Sequence, residues 1–355
     1  MTMKHTALTL AIISIFIWEP ATAQKSDGSE KDEFRIMFYN VENLFDPFHD
    51  TLKNDYEFVS GGINGWTWKK FERKLHNISK VIIATGGWKP PEIVAFSEIE
   101  NRFVLQQLLK RTTLDRFGYG IIHEESPDLR GIDVGMLYLK DKFRVVKHQS
   151  VRITSSDTLL ITRDILYVKG LIVQNGIVCQ NDTLHLFINH WPSRTGGPAI
   201  TAYRRKDAAL TLKRMVDSIL LNQPDAHIVL TGDFNDEPID ESISTHLNVH
   251  ESTADSGYLL YNLMTPFVGK YDIGTNKYKN QWGVIDQFIV SSSLLKKENK
   301  QGLRVIDAQI ISFPFLLRTD ENYSGTVPYR TYHGKQYIGG FSDHLPVLLT
   351  LQIYN

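Results

Sequence analysis

The sequence predicts a layered α/β fold in which two β-sheets pack face to face and helices cover them. The chain opens with the order strand, helix, strand, helix, and a run of neighbouring strands follows. A second long helix and further strands then repeat the order of the first half, with no low-complexity linker between the halves. We therefore predict one domain of two packed sheets with outer helices.

In the first half, segments of strand character alternate with amphipathic segments. Strands are predicted over 34–41 and 91–100 because apolar, β-branched and aromatic residues dominate there. Helices are predicted over 66–85 and 101–112, where apolar residues recur at helical spacing. Successive strands then follow, which favours antiparallel pairing. These strands are predicted over 119–124, 133–139, 143–153, 164–174 and 182–191.

The second half begins with a long helix predicted over 202–222. A strand over 227–234 and a short helix over 238–247 come next. Three apolar segments close the chain and predict strands over 282–291, 303–311 and 345–354.

Composition and charge restrict the class of protein. Of 355 residues, 42% are apolar and 22% are charged, so a substantial core is expected and wholesale disorder is not. The length is compatible with one large domain or two small ones. The formal net charge of -1 argues against a long-range basic field for gripping nucleic acid, although a local basic cleft stays compatible with it.

The N-terminal segment has the pattern of a secretory signal. Lys4 precedes an apolar run, and Ala21 and Ala23 occupy the positions that small residues take before a cleavage site. We predict a signal peptide over 1–23, a flexible leader over 24–33 and one domain over 34–355, with the mature protein secreted or periplasmic and free of a membrane span. Cys179 is the only cysteine, so no internal disulfide forms.

Polar clusters stand where apolar strands end or begin. A single acid or histidine at such a place is usually a cap or turn residue, but six clusters together indicate a site built from strand-end loops. The residues concerned are Asn40, Glu98, His190, Asp233 with Asn235, Asp286, and Asp343 with His344.

These residue types are those of a divalent-metal hydrolase. A hard cation such as Mg²⁺, with Mn²⁺ as an alternative, takes oxygen ligands, which Glu98, Asp343 and the amide oxygen of Asn40 would supply. His190 and His344 could neutralise a phosphoryl oxygen or exchange a proton. The chain has no H-E-x-x-H, P-loop or G-x-G-x-x-G pattern, so protease-type zinc, P-loop nucleotide hydrolysis and dinucleotide redox chemistry are not supported.

With these residues in view, the chain resembles the endonuclease/exonuclease/phosphatase superfamily, the deoxyribonuclease I-like proteins. Other branches include abasic-site endonucleases, bacterial sphingomyelinases and inositol polyphosphate 5-phosphatases. Seven motifs occur in the family's order from Phe34 to the C terminus: YNVEN, FSEIEN, GIDVGMLY, NHWPSR, GDFNDEP, WGVIDQFIVS and SDHLP. Each motif alone is weak, but seven in order are specific.

The resemblance implies a four-layer α/β sandwich and a role for each matching residue. Asn40 and Glu98 match metal-site positions, and Asp343 matches a metal-associated carboxylate. Asp233 matches the acid that positions or deprotonates the attacking water, and Asn235 matches an amide that binds the phosphate or that water.

The remaining implied roles concern two histidines. Asp286 matches the acid that orients the final histidine, His344 the histidine at the scissile phosphate, and His190 the histidine on the leaving-group side. We predict Asp133 as a partner of His190, with strand capping as the alternative.

Three arginines are candidate phosphate contacts, although surface solvation is the ordinary role of each. They are Arg130, Arg163 and Arg194.

The resemblance does not choose the substrate, because this fold serves several phosphoesters. The stretch NHWPSRTGG lacks the longer Asn/Arg-rich signature of the inositol phosphatases, and NHWPSR is most similar to secreted nuclease-like members. We therefore expect a monomeric Mg²⁺-dependent phosphodiesterase that acts on nucleic acid. A sphingomyelinase-type phospholipid phosphodiesterase is the alternative, and a catalytically silent binding module is disfavoured because every expected catalytic position is filled.

Overall fold

Two six-stranded sheets stack face to face in the computed structural model of the chain. The structure describes residues 33–354 except 88, 156, 158, 159, 252–258 and 297–301, and the backbone but not the side chains of 180–182. Residues Asp32–Asn355 form a single compact unit. The predicted signal peptide and all of the predicted leader except Glu33 lie outside the described residues. No helix in the described ranges has the length and apolarity needed to cross a membrane.

The strands, in chain order, are β1 (Glu33–Leu44), β2 (Ile93–Ile99), β3 (Tyr119–His123), β4 (Asp133–Leu139), β5 (Phe143–Val151), β6 (Ile165–Gln174), β7 (Ile177–His190), β8 (His227–Asp233), β9 (Leu260–Asn262), β10 (Asn276–Tyr278), β11 (Gln281–Gly283), β12 (Asp286–Ser291), β13 (Gly302–Ile310), β14 (Leu317–Thr319), β15 (Thr326–Pro328), β16 (Tyr332–His333), β17 (Gln336–Tyr337) and β18 (Val347–Tyr354). The longer helices are α1 (Trp68–Gly86), α2 (Arg102–Lys110) and α3 (Pro198–Asn222).

Both sheets are mixed, with one parallel pair at the centre of each. The first has the order β13-β18-β1-β2-β4-β3, and β1 runs parallel to β2. The second has the order β5-β6-β7-β8-β12-β9, and β7 runs parallel to β8. The other pairs in these sheets are antiparallel, as the run of successive strands predicts.

The helices cover the outer faces of the sheets, which makes four layers and confirms the α/β sandwich. Helix α1 contacts β1 and buries Phe71, Leu75, Ile78 and Ile82 on one face. Helix α2 begins at Asn101, whose Oδ1 accepts a hydrogen bond of 3.1 Å from the backbone N–H of Val104. Helix α3 covers the second sheet, where Ala208, Leu212 and Val216 pack in one core cluster with residues of β6, β7 and β8.

Two local predictions were wrong, and two short ribbons were not predicted. The strand predicted over 282–291 is broken at residues 284 and 285 into β11 and β12, which belong to different sheets. The helix predicted over 238–247 is a single π-helical turn, Ser242–His246. The two-stranded ribbons β14–β15 and β16–β17 were not predicted, because segments of two or three residues show no usable periodicity.

Candidate active site

The predicted polar residues meet where the central strands of the two sheets end. Asn40 pairs with Ser97 across β1 and β2, and His190 pairs with Asp233 at the ends of β7 and β8. Asp286 opens β12 directly opposite Asp233, because β12 runs antiparallel to β8. The carboxyl ends of the parallel strands β1 and β2 lie at one edge of the first sheet, and those of β7 and β8 lie at one edge of the second. Because the two sheets stack, the polar side chains at these strand ends come together.

Asp233 lies at the centre of the cluster. Its Oδ2 accepts a hydrogen bond of 3.1 Å from Asn40 Nδ2 on the other sheet. The same oxygen is 3.7 Å from His190 Nε2 and 3.9 Å from His344 Nε2. Its Oδ1 accepts a 2.9 Å hydrogen bond from the backbone N–H of Asn235, which fixes the carboxylate orientation. One acid is therefore within reach of both histidines.

His344 and Asp286 form a buried pair. His344 Nδ1 lies 2.7 Å from Asp286 Oδ2, so that nitrogen donates to the carboxylate and Nε2 is left to face the cluster. Burial alone would lower the pKa of His344, but the negative charge of Asp286 and its hydrogen bond, together with Asp233 and Asp343, raise the pKa well above its ordinary value. This geometry agrees with the predicted orientation of His344 by Asp286.

Burial raises the pKa of Asp233 and lowers the pKa of His190, because it favours the neutral form of each side chain. It raises the pKa of Asp233 to about 7, with Asp286 and Glu98 adding to the shift and His344 opposing it. Burial, reinforced by Arg163, lowers the pKa of His190 well below its ordinary value, so its imidazole is neutral at pH 7. The cluster thus combines a protonated histidine, a neutral histidine and a carboxyl group that titrates near neutrality.

Glu98 stands on a β-bulge. Its neighbours Ser97 and Ile99 pair with Asn40 and Leu44 of β1, and the register shifts between them. Glu98 has a φ of 63°, a left-handed backbone conformation that is rare for glutamate. Its Oε2 accepts a 2.7 Å hydrogen bond from the backbone N–H of Asn43. Bulges redirect side chains next to active sites, and this one aims Glu98 into the cluster.

Gly232 lets β8 lie close to β7 immediately before Asp233. Its φ is 150°, and a Cβ atom there would lie 2.2 Å from the carbonyl oxygen of Asn189. Any side chain would therefore push the two strand ends apart. The glycine of GDFN is explained by this close approach.

Asn235 and Arg194 hold the loop that follows β8. Asn235 has a φ of 54°, and its Nδ2 donates to the carbonyl oxygen of Trp191 at 3.0 Å. Arg194 donates to the carbonyl oxygen of Asn235 at 2.6 Å and to Asp236 Oδ1 at 2.9 Å. Arg194 is thus engaged by the loop itself, which argues against its predicted role as a phosphate contact.

The comparisons with known proteins agree with this geometry. Residues 35–353 match the Endonuclease/Exonuclease/phosphatase family. The chain belongs to the endonuclease/exonuclease/phosphatase family. Its members are metal-dependent phosphoric ester hydrolases, and this is the enzyme class of the chain. A comparison with curated proteins found no match.

Several solved structures share the fold of this family member. The human Nocturnin catalytic domain with a bound sulfate anion has a TM-score of 0.55 at 18% identity, over 90% of this chain and 94% of that chain. D. rerio TDP2 complexed with a single-stranded DNA product has a TM-score of 0.52 at 14% identity, over 90% and 99%. An endonuclease/exonuclease/phosphatase family protein from Bacteroides thetaiotaomicron has a TM-score of 0.53 at 14% identity, over 90% and 98%.

The divalent metal of the family fits the donors present here. Within the described ranges, Asp233 and Asp286 each offer one carboxylate oxygen in a cluster of three donor atoms that lie within 4.8 Å of one another. The third donor is a ring nitrogen of His344, which is protonated and therefore faces the site as a hydrogen-bond donor rather than as a ligand. Asp286 Oδ1 is buried and makes no hydrogen bond within those ranges, so this oxygen is available to a cation. Glu98 adds a partly exposed carboxylate. Hard oxygen donors of this kind suit a divalent cation.

The predicted metal ligands Asn40 and Asp343 have other partners in this family member. Asn40 Oδ1 accepts a 3.0 Å hydrogen bond from the backbone N–H of Glu42, which leaves one lone pair for a cation. Asp343 Oδ2 accepts a 3.1 Å hydrogen bond from Arg330 Nη2. Their roles as metal ligands stay predictions.

A buried charge network beneath the site was not predicted. Glu42 accepts hydrogen bonds from Arg330 Nε at 3.0 Å and from the backbone N–H of Thr331 at 2.6 Å. Lys74 Nζ is 3.9 Å from Glu42 Oε2, and burial lowers the pKa of Lys74 to about 8. Lys74 stands on the apolar face of α1 between Phe71 and Ile78, and a lysine in such a stripe was the available signal.

Asp133 does not contact His190 as predicted. Its Oδ1 accepts a 3.0 Å hydrogen bond from the backbone N–H of Ser126, and its Oδ2 lies 3.2 Å from His123 Nε2. The carboxylate nearest His190 is that of Asp233 instead. The prediction failed because the motif GIDVGMLY does not reveal that β3, which carries His123, is the next strand in the sheet.

The other two candidate arginines differ in exposure. Arg163 is buried, donates to Asp128 at 3.2 Å and to the carbonyl oxygen of Trp191 at 2.7 Å, and so supports the strand end that carries His190. Arg130 is about half exposed, with its Nε 3.9 Å from Asp128 Oδ1. Of the three arginines, Arg130 keeps its guanidinium most available for a substrate phosphate.

Proposed function

We propose that this family member is a Mg²⁺-dependent phosphodiesterase that cleaves nucleic acid by in-line attack of water. The observation that supports the proposal is the buried arrangement of Asp233 between His190 and His344, with Asp286 behind His344. This set provides a proton acceptor and two imidazoles at one point. Phosphodiester hydrolysis requires both a proton acceptor for water and stabilisation of negative charge on phosphate.

Asp233 is the group that takes the proton of the attacking water. With a pKa of about 7, it is ionised in a large fraction of molecules at neutral pH and can still hold a proton afterwards. The hydrogen bonds from Asn40 and Asn235 keep its two oxygens in place. The carboxylate is therefore oriented before substrate binds.

The two histidines stabilise charge on the substrate. His344 is protonated, and its Nε2 points away from Asp286, so it can donate to a phosphoryl oxygen. His190 is neutral, and its Nε2 lies 3.7 Å from the same Asp233 oxygen that His344 faces, so an N–H there can hydrogen-bond the leaving oxygen. Bound near Glu98 and Asp286, Mg²⁺ would supply Lewis-acid stabilisation of phosphate charge, with Mn²⁺ as an alternative.

A cleft beside the site favours a polyanionic substrate. Its volume is about 140 Å³, and Arg330, which donates to Asp343, forms part of its wall. Other lining residues are Lys277, Lys279, Arg318, Tyr323 and His333. The acids Asp320 and Glu321 also line it and pair with Lys277 and Arg318, but basic side chains still outnumber acidic ones there. The neighbouring β10–β11 turn exposes Tyr278 with Lys279 over its ring. Cations next to exposed aromatic rings suit a nucleic-acid strand, whose phosphates and bases both find partners. TDP2, which shares the fold, was solved with a single-stranded DNA product.

A phospholipid phosphodiesterase is the second candidate, and a separate observation favours it. The segment that joins β1 to α1 follows Glu42 and Asn43 in the chain and exposes four large apolar side chains. These are Phe48, Leu52, Tyr56 and Ile63. Exposed apolar side chains beside a hydrolytic site can enter a lipid surface.

Hydrolysis of a substrate panel tests the proposal. The mature protein, residues 24–355, would be assayed on plasmid DNA, RNA, sphingomyelin vesicles and bis-(p-nitrophenyl) phosphate, with Mg²⁺ and with EDTA. Metal-dependent cleavage of DNA or RNA supports the nuclease function. Turnover of sphingomyelin with both nucleic acids intact would move the substrate to phospholipid, and no turnover of any phosphoester would contradict both.

We also propose that the protein acts outside the cytoplasm, as a secreted or periplasmic monomer. The signal-like segment 1–23 supports the location. Expression of the full chain, followed by fractionation and N-terminal sequencing, tests it. A mature protein that begins at Gln24 in the exported fraction is expected, and an uncleaved cytoplasmic chain would contradict it.

A further inference from the structure

A second cluster of metal-ligating side chains lies outside the active-site cluster, at the end of β3 and the start of β4. His123 Nε2 lies 3.2 Å from Asp133 Oδ2, and His123 Nδ1 lies 3.9 Å from Glu125 Oε1. One donor atom from each of these three residues lies within 4.8 Å of the other two. His123 and Asp133 are buried, while Glu125 is exposed.

Two of these donor atoms lack partners. His123 Nε2 and Asp133 Oδ2 are both fully buried, and neither makes a hydrogen bond within the described part of the chain. Their separation of 3.2 Å is short, but the angular geometry of a hydrogen bond is absent. Buried polar atoms without a partner are rare in folded proteins and point to a group that binds there.

The donors select the kind of group. One imidazole nitrogen and two carboxylates suit a borderline divalent cation such as Zn²⁺, which binds nitrogen at about 2.0–2.1 Å and carboxylate oxygen at about 2.0–2.2 Å. Two such donors about one ion are roughly 3.3 Å apart when the angle between the bonds is tetrahedral. The 3.2 Å between Nε2 and Oδ2 matches that spacing. Glu125, on the exposed side, would provide the third ligand.

The surroundings leave this position available to a cation. Asp133 is held in place because its other oxygen, Oδ1, accepts from the backbone N–H of Ser126. The nearby ammonium of Lys53 donates to the carbonyl oxygens of Ser126 and Asp128, at 3.0 Å each. Lys53 is thus committed to the loop backbone rather than to His123 Nε2 or Asp133 Oδ2.

We propose that His123, Glu125 and Asp133 bind a Zn²⁺-class cation at a structural site separate from the catalytic metal. A cation at this site would link His123, just before the loop over residues 124–132, to Asp133, just after it. That loop carries Asp128, which binds Arg163, and Arg163 in turn donates to the carbonyl oxygen of Trp191 beside His190. The cation would therefore stabilise the support of the leaving-group histidine without touching the reacting atoms.

Co²⁺ absorption in the presence of excess Mg²⁺ tests the proposal. Excess Mg²⁺ competes for the oxygen-rich catalytic site, and four-coordinate Co²⁺ gives an intense visible d–d band, whereas six-coordinate Co²⁺ bound by oxygen absorbs only weakly. The metal-free mature protein is expected to bind one Co²⁺ that Mg²⁺ does not displace. Glu125→Gln, which changes an exposed side chain, should weaken Co²⁺ binding by roughly 10–100-fold, and His123→Gln should abolish the spectrum.

His148→Gln is the matched control, because His148 is an exposed histidine that pairs with Glu124, the neighbour of Glu125 in the chain. It should bind Co²⁺ like the wild type. Far-UV circular dichroism checks that each variant folds. An unchanged Co²⁺ affinity in Glu125→Gln, or a wild type that binds no Co²⁺ beyond what Mg²⁺ displaces, would show that His123 forms only an ion pair with the two carboxylates.

Discussion

The side chain of Asn40 donates a 3.1 Å hydrogen bond to Asp233 Oδ2 and so joins the two sheets at the centre of the site. The two residues are 193 positions apart in the chain. The orientation of the amide is determined, because its Oδ1 accepts from the backbone N–H of Glu42. The Asp233 oxygen that we propose as the proton acceptor is therefore positioned by the opposite half of the fold.

Removal of the Glu98 carboxylate should abolish turnover and leave the fold intact. Glu98→Ala removes a hard oxygen donor next to Asp233, and we expect a loss of at least about 10³-fold in kcat. The substitution should not remove core contacts, because the Glu98 side chain is partly exposed. Hydrolysis of bis-(p-nitrophenyl) phosphate and thermal unfolding measure the two effects. Glu124→Ala, on a partly exposed glutamate, is the control, and near-wild-type turnover in Glu98→Ala would contradict the metal assignment.

Asp286→Asn should shift the alkaline side of the rate profile. The pKa of His344 is raised by Asp286, so His344 stays protonated until the pH rises through that high value. Without the carboxylate, burial dominates and the pKa falls, so the donor is lost at lower pH. We expect a decrease of about 10²–10⁴-fold in kcat at pH 8 and an alkaline limb displaced to lower pH.

The control for that variant is Asp307→Asn, at an exposed position on β13. Its pH profile should match that of the wild type. An alkaline limb that stays in place in Asp286→Asn would show that Asp286 does not set the protonation of His344.

Asp233→Asn should stabilise the metal-free protein above neutral pH while it abolishes activity. Because the folded-state pKa of Asp233 is raised to about 7, the folded protein holds a proton that the unfolded chain loses near pH 4. Stability is therefore lost as the pH rises from about 4 to 7. The neutral amide introduced by Asp233→Asn does not titrate, so the variant keeps the stability that the wild type loses over this pH range. We therefore expect its free energy of unfolding at pH 8 to exceed that of the wild type by about 1–2 kcal/mol.

Urea unfolding in EDTA at pH 5 and at pH 8 measures this effect. The difference between Asp233→Asn and wild type should be larger at pH 8 than at pH 5. Asp217→Asn, on the exposed face of α3, should show no such difference. A variant that is less stable than wild type at both pH values would mean that the hydrogen bonds of Asp233 outweigh its charge.

Lys74→Met should destabilise the fold strongly. Lys74 Nζ donates to Thr331 Oγ1 and to the carbonyl oxygen of Phe341, and it partly neutralises buried Glu42. Removal of one member of a buried charge network leaves the other uncompensated, at a cost of about 3–5 kcal/mol. Urea unfolding at pH 7 measures it. Lys69→Met, on the exposed face of the same helix, should change stability by less than about 0.5 kcal/mol, and an equal effect of the two variants would contradict the role of Lys74.

Much of the fold follows from periodicity. Alternating strand and helix patterns determine the two-sheet sandwich, and β4 was predicted at its observed bounds, Asp133–Leu139. The short ribbons around 317–337 were missed because they are held by tertiary contacts rather than by local propensity. Similarly, the break between β11 and β12 arises where the chain passes from one sheet to another, which no local pattern records.

The sequence by itself determined the family, the enzyme class and the candidate residues. Each polar cluster at a strand end can be recognised without knowledge of the rest of the fold, and several clusters in a fixed order together make the match specific. Only the tertiary structure decided which side chains meet. It placed Asp133 beside His123 rather than His190, used Arg194 to hold the GDFN loop, and brought Arg330 and Lys74 to Glu42. Such pairings depend on strand order and on the packing of two sheets, and residues hundreds of positions apart become neighbours only when those sheets close.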